Sequence, residues 1–356
     1  MDKKRVAASI EARFRNQVSK DKNVKNAYLL VHSDQKDIHI NLAEGATGSF
    51  PADPRQPNYM ASVGKLFTAT MVSILYEQGM LSFADRITDH LDQDLLKGLH
   101  VRKGIDHTSE IRIKHLLNQT SGLPDDFEPL MDELLADPDF SITPRAAIEW
   151  VKKNIEPHFP PGTGFQYTDT NYHLLGLIIE KRTGLPFHEA LKQHIYAPLE
   201  MKHASMLHNS APIEPCSFPI ADFYIRGTRL NEVEAYGSLD YAGGGVVAPT
   251  EDLLKFMKAL VTHQLVSERT LQTMMADMNR FTIGIQYGYG IWHLTPVPLL
   301  MPKRYASWGV AGVTGAFMFY HPEMDAYFIG SFNDCSYKRN FLQFMGRTMN
   351  QLWKGK

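Results

Sequence analysis

The sequence predicts an α+β protein: an antiparallel sheet flanked by helices, with an all-helical domain inserted into it. Three observations carry this. Strand-like stretches lie towards both ends of the 356-residue chain. Helical periodicity fills the middle, broken by loops rich in Pro, Gly and Asp. An amphipathic helical pattern opens the chain and a further helix closes it. The expected division is a sheet domain built from residues 1–80 and 215–356 and a helical domain over 81–214, with an active site between them.

Met1 to Arg5 is basic, but no apolar stretch follows as in a secretory signal. Val6, Ile10, Phe14 and Val18 recur every four residues among polar ones, which predicts a helix lying on the body of the protein. Residues 27–32 and 37–42 read as a hairpin with its turn at 33–36. A loop from Gly45 to Pro57 leads into a helix expected to begin near Asn58 and run to about Gln78, where Gly79 stops it. Residues 111–117, 143–154, 171–183 and 187–194 carry helical patterns. The loops between them include 122–126, 160–164 and 184–186, while 85–91 and Asp137–Pro138 read as loop or helix-entry material.

Strand signals return from about Pro215. Gly243 to Gly245 precede an apolar run, Val246 to Ala248, and Thr250 is expected to cap a helix through Leu260. A further helix is expected over 267–275. Residues 287–294, 316–320 and 326–331 read as strands, and 339–353 as a closing helix.

Composition excludes several classes. A net charge of -2 offers nothing to nucleic acid or to an anionic membrane. No run of about eighteen apolar residues is present to cross a bilayer. A cytoplasmic protein is expected, with Cys216 and Cys335 reduced. The histidines show no ligand spacing, and no phosphate loop or dinucleotide fingerprint is found, so neither metal nor cofactor is expected.

The chemistry gathers around residues 58–78. Val63, Leu66, Phe67, Met71, Ile74 and Leu75 make an apolar helix face, and small or apolar residues fill the others. Ser62 and Lys65 interrupt it three residues apart, on one face of the first turn. A lysine on so apolar a helix must find partners or do chemistry, and a serine beside it has the makings of an activated nucleophile. Ser-x-x-Lys alone is weak; its value lies in distant companions. One is present: Pro160-Pro161-Gly162 leads to Tyr167-Thr168-Asp169 and then to the helical Leu174-Leu175-Gly176-Leu177-Ile178-Ile179-Glu180.

With these residues the chain resembles the serine β-lactamase and penicillin-binding-protein-like superfamily, in its class C, esterase and D-aminopeptidase branch. Residues 113–123, 243–253 and 287–292 match further family phrases, and the resemblance runs from about residue 25 to the C-terminus. It implies the β-lactamase/transpeptidase-like fold, with Ser62 as nucleophile, Lys65 as a base kept partly neutral by burial, and Tyr167 as the group that passes a proton to the leaving group. It implies an oxyanion hole from the backbone N–H groups of Ser62 and Val313, or of Ala316 in a second register. Asp169, Val310, Ala311, Gly312 and Trp308 are the candidate substrate contacts.

Two departures matter. Asp169 stands where the family has Asn, either facing substrate or capping the following helix. In Trp308-Gly309-Val310-Ala311-Gly312-Val313-Thr314-Gly315, both registers place a valine where the family has Lys or His. Valine cannot bind a carboxylate. Neutral small-molecule esters, amides or lactones are therefore the expected substrates, unless Lys303 or Arg304 supplies the charge. Tyr287, Tyr289, Trp292 and Trp308 are candidates for an acyl pocket. The leading reading is a serine hydrolase working through a Ser62 acyl-enzyme. An acyltransferase using the same intermediate and a catalytically degenerate binding protein are the alternatives.

Overall fold

A computed structural model describes residues 3–137, 139–298 and 302–354; Met1, Asp2 and Pro138 lie outside them. Its centre is a nine-stranded antiparallel sheet. From one edge the strands run Asn279–Thr282, Ile285–Tyr287, Trp292–Leu294, Ser307–Ala311, Phe317–His321, Ala326–Ser331, Asn26–Ser33, Ile38–Thr47 and Phe50–Pro51. The two ends of the chain meet where Leu30 pairs with Ile329 in the sheet interior.

Each face of the sheet buries its own core. On one, the helices Lys3–Lys20 and Asn340–Lys354 pack together, with Phe14 and Phe344 at 6.2 Å between ring centres. Val6, Ile10, Phe14 and Val18 are all buried; each such side chain contributes about 1.5–3 kcal/mol. On the other face lie the helices Gly64–Glu77 and Thr250–Val261. That core is continuous: Leu30 and Met318 of the sheet belong to the same apolar cluster as Leu116, Ile148, Leu174 and Ile178 of the helical region. The Ser62 helix thus runs through a core shared by both halves of the expected division.

The local differences from expectation have physical causes. Asn58–Tyr59 is a short strand paired with Val246–Ala248, and a 3-10 turn, Ala61–Val63, precedes the helix Gly64–Glu77. The Met60 N–H bonds Val246 O at 2.9 Å, which keeps this stretch out of the helix. Residues 287–294 form no single strand. The chain turns at Gly290 (φ +69°), so Ile285–Tyr287 and Trp292–Leu294 pair with each other. Thr250 is the first helical residue rather than the cap, and its hydroxyl bonds Asn41 Oδ1 at 2.9 Å. The helices Phe127–Ala136 and Glu234–Asp240 were not foreseen; both pack into a third apolar cluster through Leu130, Leu134, Tyr236 and Leu239.

Candidate active site

Ser62 sits in the 3-10 turn that enters the buried helix. Ala61, immediately before it, has φ +48°, a conformation costly for a residue with a Cβ. The hairpin loop after Ser307–Ala311 comes close on the other side. A Cβ on Gly312 would stand 2.7 Å from both Ala61 Cβ and Met60 O, so glycine alone permits the approach. Val313 follows, and its N–H makes no backbone hydrogen bond among the described residues.

Lys65 is completely buried. Its ammonium donates to Gly243 O at 2.6 Å and to Ser62 Oγ at 3.3 Å, and it is ion-paired with Asp169. It also stands 5.0 Å from the centre of the Tyr167 ring. Burial acts to lower its pKa, but Asp169, Tyr167 and Tyr287 outweigh it and raise the pKa above the ordinary lysine value. Burial therefore does not leave this lysine neutral at rest; the acid at position 169 holds it as an ammonium. The Tyr167 phenol is pushed up by burial more than the neighbouring Lys65 pulls it down.

Asp169 precedes the helix Thr170–Thr183 but makes no side-chain capping bond. Its carboxylate is committed to Lys65 instead. The local chain is held from below: Asp125 Oδ1 accepts from the Asp169 N–H at 2.8 Å, and Asn171 joins Gln119 and Ser121 at 2.6 Å each. Beneath this net, Asp126 and His173 form a fully buried ion pair at 2.9 Å.

Two cavities open onto Ser62, and Tyr167 and Val313 line both. The larger, about 590 Å³, is lined by Phe281, Ile285, Trp292, Ala311, Gly312 and Phe341, with Lys338 and Arg339 at its edge. The smaller, about 170 Å³, holds Asp125, Asp169, Asp240 and Glu128. Ser62, Lys65, Tyr167, Val313, Asp169, Ala311 and Gly312 are therefore brought together. Val310 and Trp308 are not. They point from their strand into the core under the Ser62 helix and line neither cavity, while Ala311 alternates to the other face. Ala316 directly precedes the return strand Phe317–His321, is fully buried and lines neither. Tyr287 and Tyr289 are also core residues, bonded to Tyr172 and Asp277 respectively. Of the basic residues considered from sequence, Lys303 and Arg304 lie in a short 3-10 turn away from both cavities.

Residues 12–337 match the beta-lactamase family model. The chain belongs to the beta-lactamase family. Its relatives within that family are distant. It is 27% identical over 254 residues to penicillin-binding protein 4* of Bacillus subtilis, an alignment spanning 67% of this chain and 52% of that one. It is 25% identical over 181 residues to the D-aminopeptidase of Brucella anthropi, spanning 50% and 33% respectively. This chain therefore spans about half or less of the length of these relatives. Among solved structures, D-amino acid amidase of Ochrobactrum anthropi in complex with D-phenylalanine superposes with a TM-score of 0.80 at 19% identity, over 99% of both chains. EstCE1, a hydrolase with promiscuous acyltransferase activity, gives 0.77 at 16% identity, again over 99% of both. At these identities the likeness is one of fold. Among the described residues no helix is long and apolar enough to cross a membrane.

The residues that sequence reasoning missed are Asp125, Asp240, Phe281, Lys338 and Arg339. Asp125 lay in a loop read only as a connection. The adjacent Asp125 and Asp126 were the one available signal. Asp240 had none, since it precedes the Gly243–Gly245 run without belonging to a recognisable pattern.

Proposed function

We propose that this family member is a serine hydrolase that cleaves an ester or amide through an acyl-enzyme on Ser62. The observation that carries the proposal is the convergence of Ser62, Lys65 and Tyr167 at the junction of two cavities, beside a Val313 N–H that has no backbone partner among the described residues. Ser62 Oγ attacks the carbonyl carbon while its proton passes to the Lys65–Tyr167 pair in its deprotonated form. The Ser62 and Val313 N–H groups receive the carbonyl oxygen as it gains charge. Tyr167 returns the proton to the leaving alcohol or amine. Water then attacks the acyl-enzyme and releases the acid.

The apolar cavity of about 590 Å³ is large enough for a substantial acyl or alcohol group. Intact-mass analysis with a fluorophosphonate tests the reading. One adduct is expected on the wild type and none on Ser62→Ala. Absence of a Ser62-dependent adduct, together with absence of turnover on p-nitrophenyl esters, supports the binding-protein reading instead. Added alcohols or amines distinguish hydrolysis from acyl transfer through the product ratio.

A further inference from the structure

Tyr167 stands in a stretch that no helix or strand frames: residues 165–168 belong to neither. Gln119 holds that stretch on both sides of the tyrosine. Its main-chain carbonyl accepts from the Gln166 N–H at 3.0 Å. Its side-chain Oε1 accepts from the Thr168 N–H at 3.1 Å, and its Nε2 donates to Thr168 O, also at 3.1 Å. Asn171 Nδ2 donates a further bond to Oε1 at 2.6 Å. Gln119 is completely buried, lines neither of the cavities on Ser62 and has φ +64°. A non-glycine residue keeps that left-handed conformation only where its surroundings fix it.

A buried amide is costly unless both its ends are bonded. Here the amide meets the N–H and the C=O of a single residue, Thr168, as a neighbouring strand would. We propose that Gln119 is the positioning residue for Tyr167: it fixes the backbone at 166 and 168 so that the phenol between them stands where it can protonate the leaving group. The inference rests on Tyr167 being that proton donor and adds the residue that sets its place.

The residue type follows from the bonds. Holding Thr168 takes a donor and an acceptor side by side on an uncharged stem of this length. Glutamate has the length but, when ionised, only accepts, and it would set an oxygen against Thr168 O. Asparagine is one methylene short. The other anchors of this stretch, Thr168 Oγ1 on Pro124 O at 2.9 Å and the Asp169 N–H on Asp125, lie on the C-terminal side of Tyr167. The ring itself packs edge-on against Tyr287 at 5.8 Å and beside Phe281 at 5.7 Å between centres. Proton transfer needs the phenol within about 2.6–3.2 Å of the leaving atom. A backbone displacement of about 1 Å at residues 166–168 therefore reaches the chemistry.

The test uses two esters of one acyl group: p-nitrophenyl butyrate, whose leaving group departs without a proton, and butyl butyrate, whose leaving group needs one. Tyr167→Phe is expected to raise the kcat/KM ratio of the first to the second tenfold or more. Gln119→Glu, which keeps the shape of the side chain, and Gln119→Ala should raise it fivefold or more in folded protein, although residue 119 lines neither cavity. A merely structural loss lowers both rates together and leaves the ratio alone. Wild-type ratios in both variants, beside a raised ratio in Tyr167→Phe, would overturn the role of Gln119 alone. An unchanged ratio in Tyr167→Phe would overturn the proton-donor reading, and this role with it. In the wild type the Gln166 and Thr168 N–H groups should exchange with deuterium as slowly as those of the helix Thr170–Thr183; exchange at the rate of an open loop would overturn the hold even if neither variant folds.

Discussion

At the scale of single residues, Asp169 is the side chain that most changes the expected chemistry. It places a negative charge against the buried Lys65 ammonium and stabilises the protonated state. A base whose folded pKa is raised keeps its proton to higher pH, so kcat/KM should still be rising above about pH 8. Asp169→Asn removes the counter-charge and leaves burial to lower the lysine pKa. The ascending limb of the pH–rate profile should then move down by about one unit or more; an unmoved limb would show that Lys65 does not control acylation. Val310 yields the opposite lesson. It is 1% exposed and packed in the core. Val310→His should cost about 2 kcal/mol in urea unfolding through burial of an imidazole, without creating a preference for carboxylate-bearing substrates. A new preference for them would show that this side chain reaches the substrate.

At the scale of elements, the site depends on how closely the Ser62 helix meets the glycine run after Asp240. Lys65 donates to Gly243 O, and a Cβ on Gly64 would fall 2.2 Å from Gly244 O. Gly64→Ala must push the helix entrance and the run apart. It should destabilise by about 1–3 kcal/mol and lower kcat tenfold or more, because reacting groups tolerate little displacement. Wild-type kcat with unchanged stability would mean that the run yields without moving Lys65. The helix itself was legible from its apolar spacing and Gly79. Its beginning was not, because a hydrogen bond to Val246, 186 positions away, decides where the helix starts.

At the scale of the whole molecule, the buried acids couple stability to pH. Asp125 is raised from 3.8 to about 7 by burial and then by Asp169 and Asp126, against the lowering effects of the Asp169 N–H and Lys65. The folded state holds this proton more tightly than the unfolded one. Its stabilising contribution is therefore complete below about pH 4 and lost as pH rises through about 7. Asp125→Asn removes that loss. Measured by urea unfolding, the variant should gain about 4 kcal/mol on the wild type at pH 8 and almost nothing at pH 4. An equal difference at both values would mean that Asp125 does not titrate in this range. The Asp126–His173 pair lies deeper in the same region. Breaking it with Asp126→Ala should cost about 3–5 kcal/mol by stranding the imidazolium; a cost below about 1 kcal/mol would mean that the histidine is neutral in the fold.

The sequence by itself determined that strands from both chain ends enclose a helical middle, the buried helix, and the placing of Ser62 and Lys65 on one face of its entrance; Tyr167 joined them only through the family resemblance. Periodicity and short-range spacing are local properties, and residues three apart on a helix share a face in any fold. Tertiary structure alone decided the charge state of Lys65, the withdrawal of Val310 and Trp308 into the core, and the meeting of Asp125 with Asp240. Those depend on strand alternation and on groups more than a hundred positions apart. Electrostatic energy falls with distance in space, and no pattern along the chain records that distance.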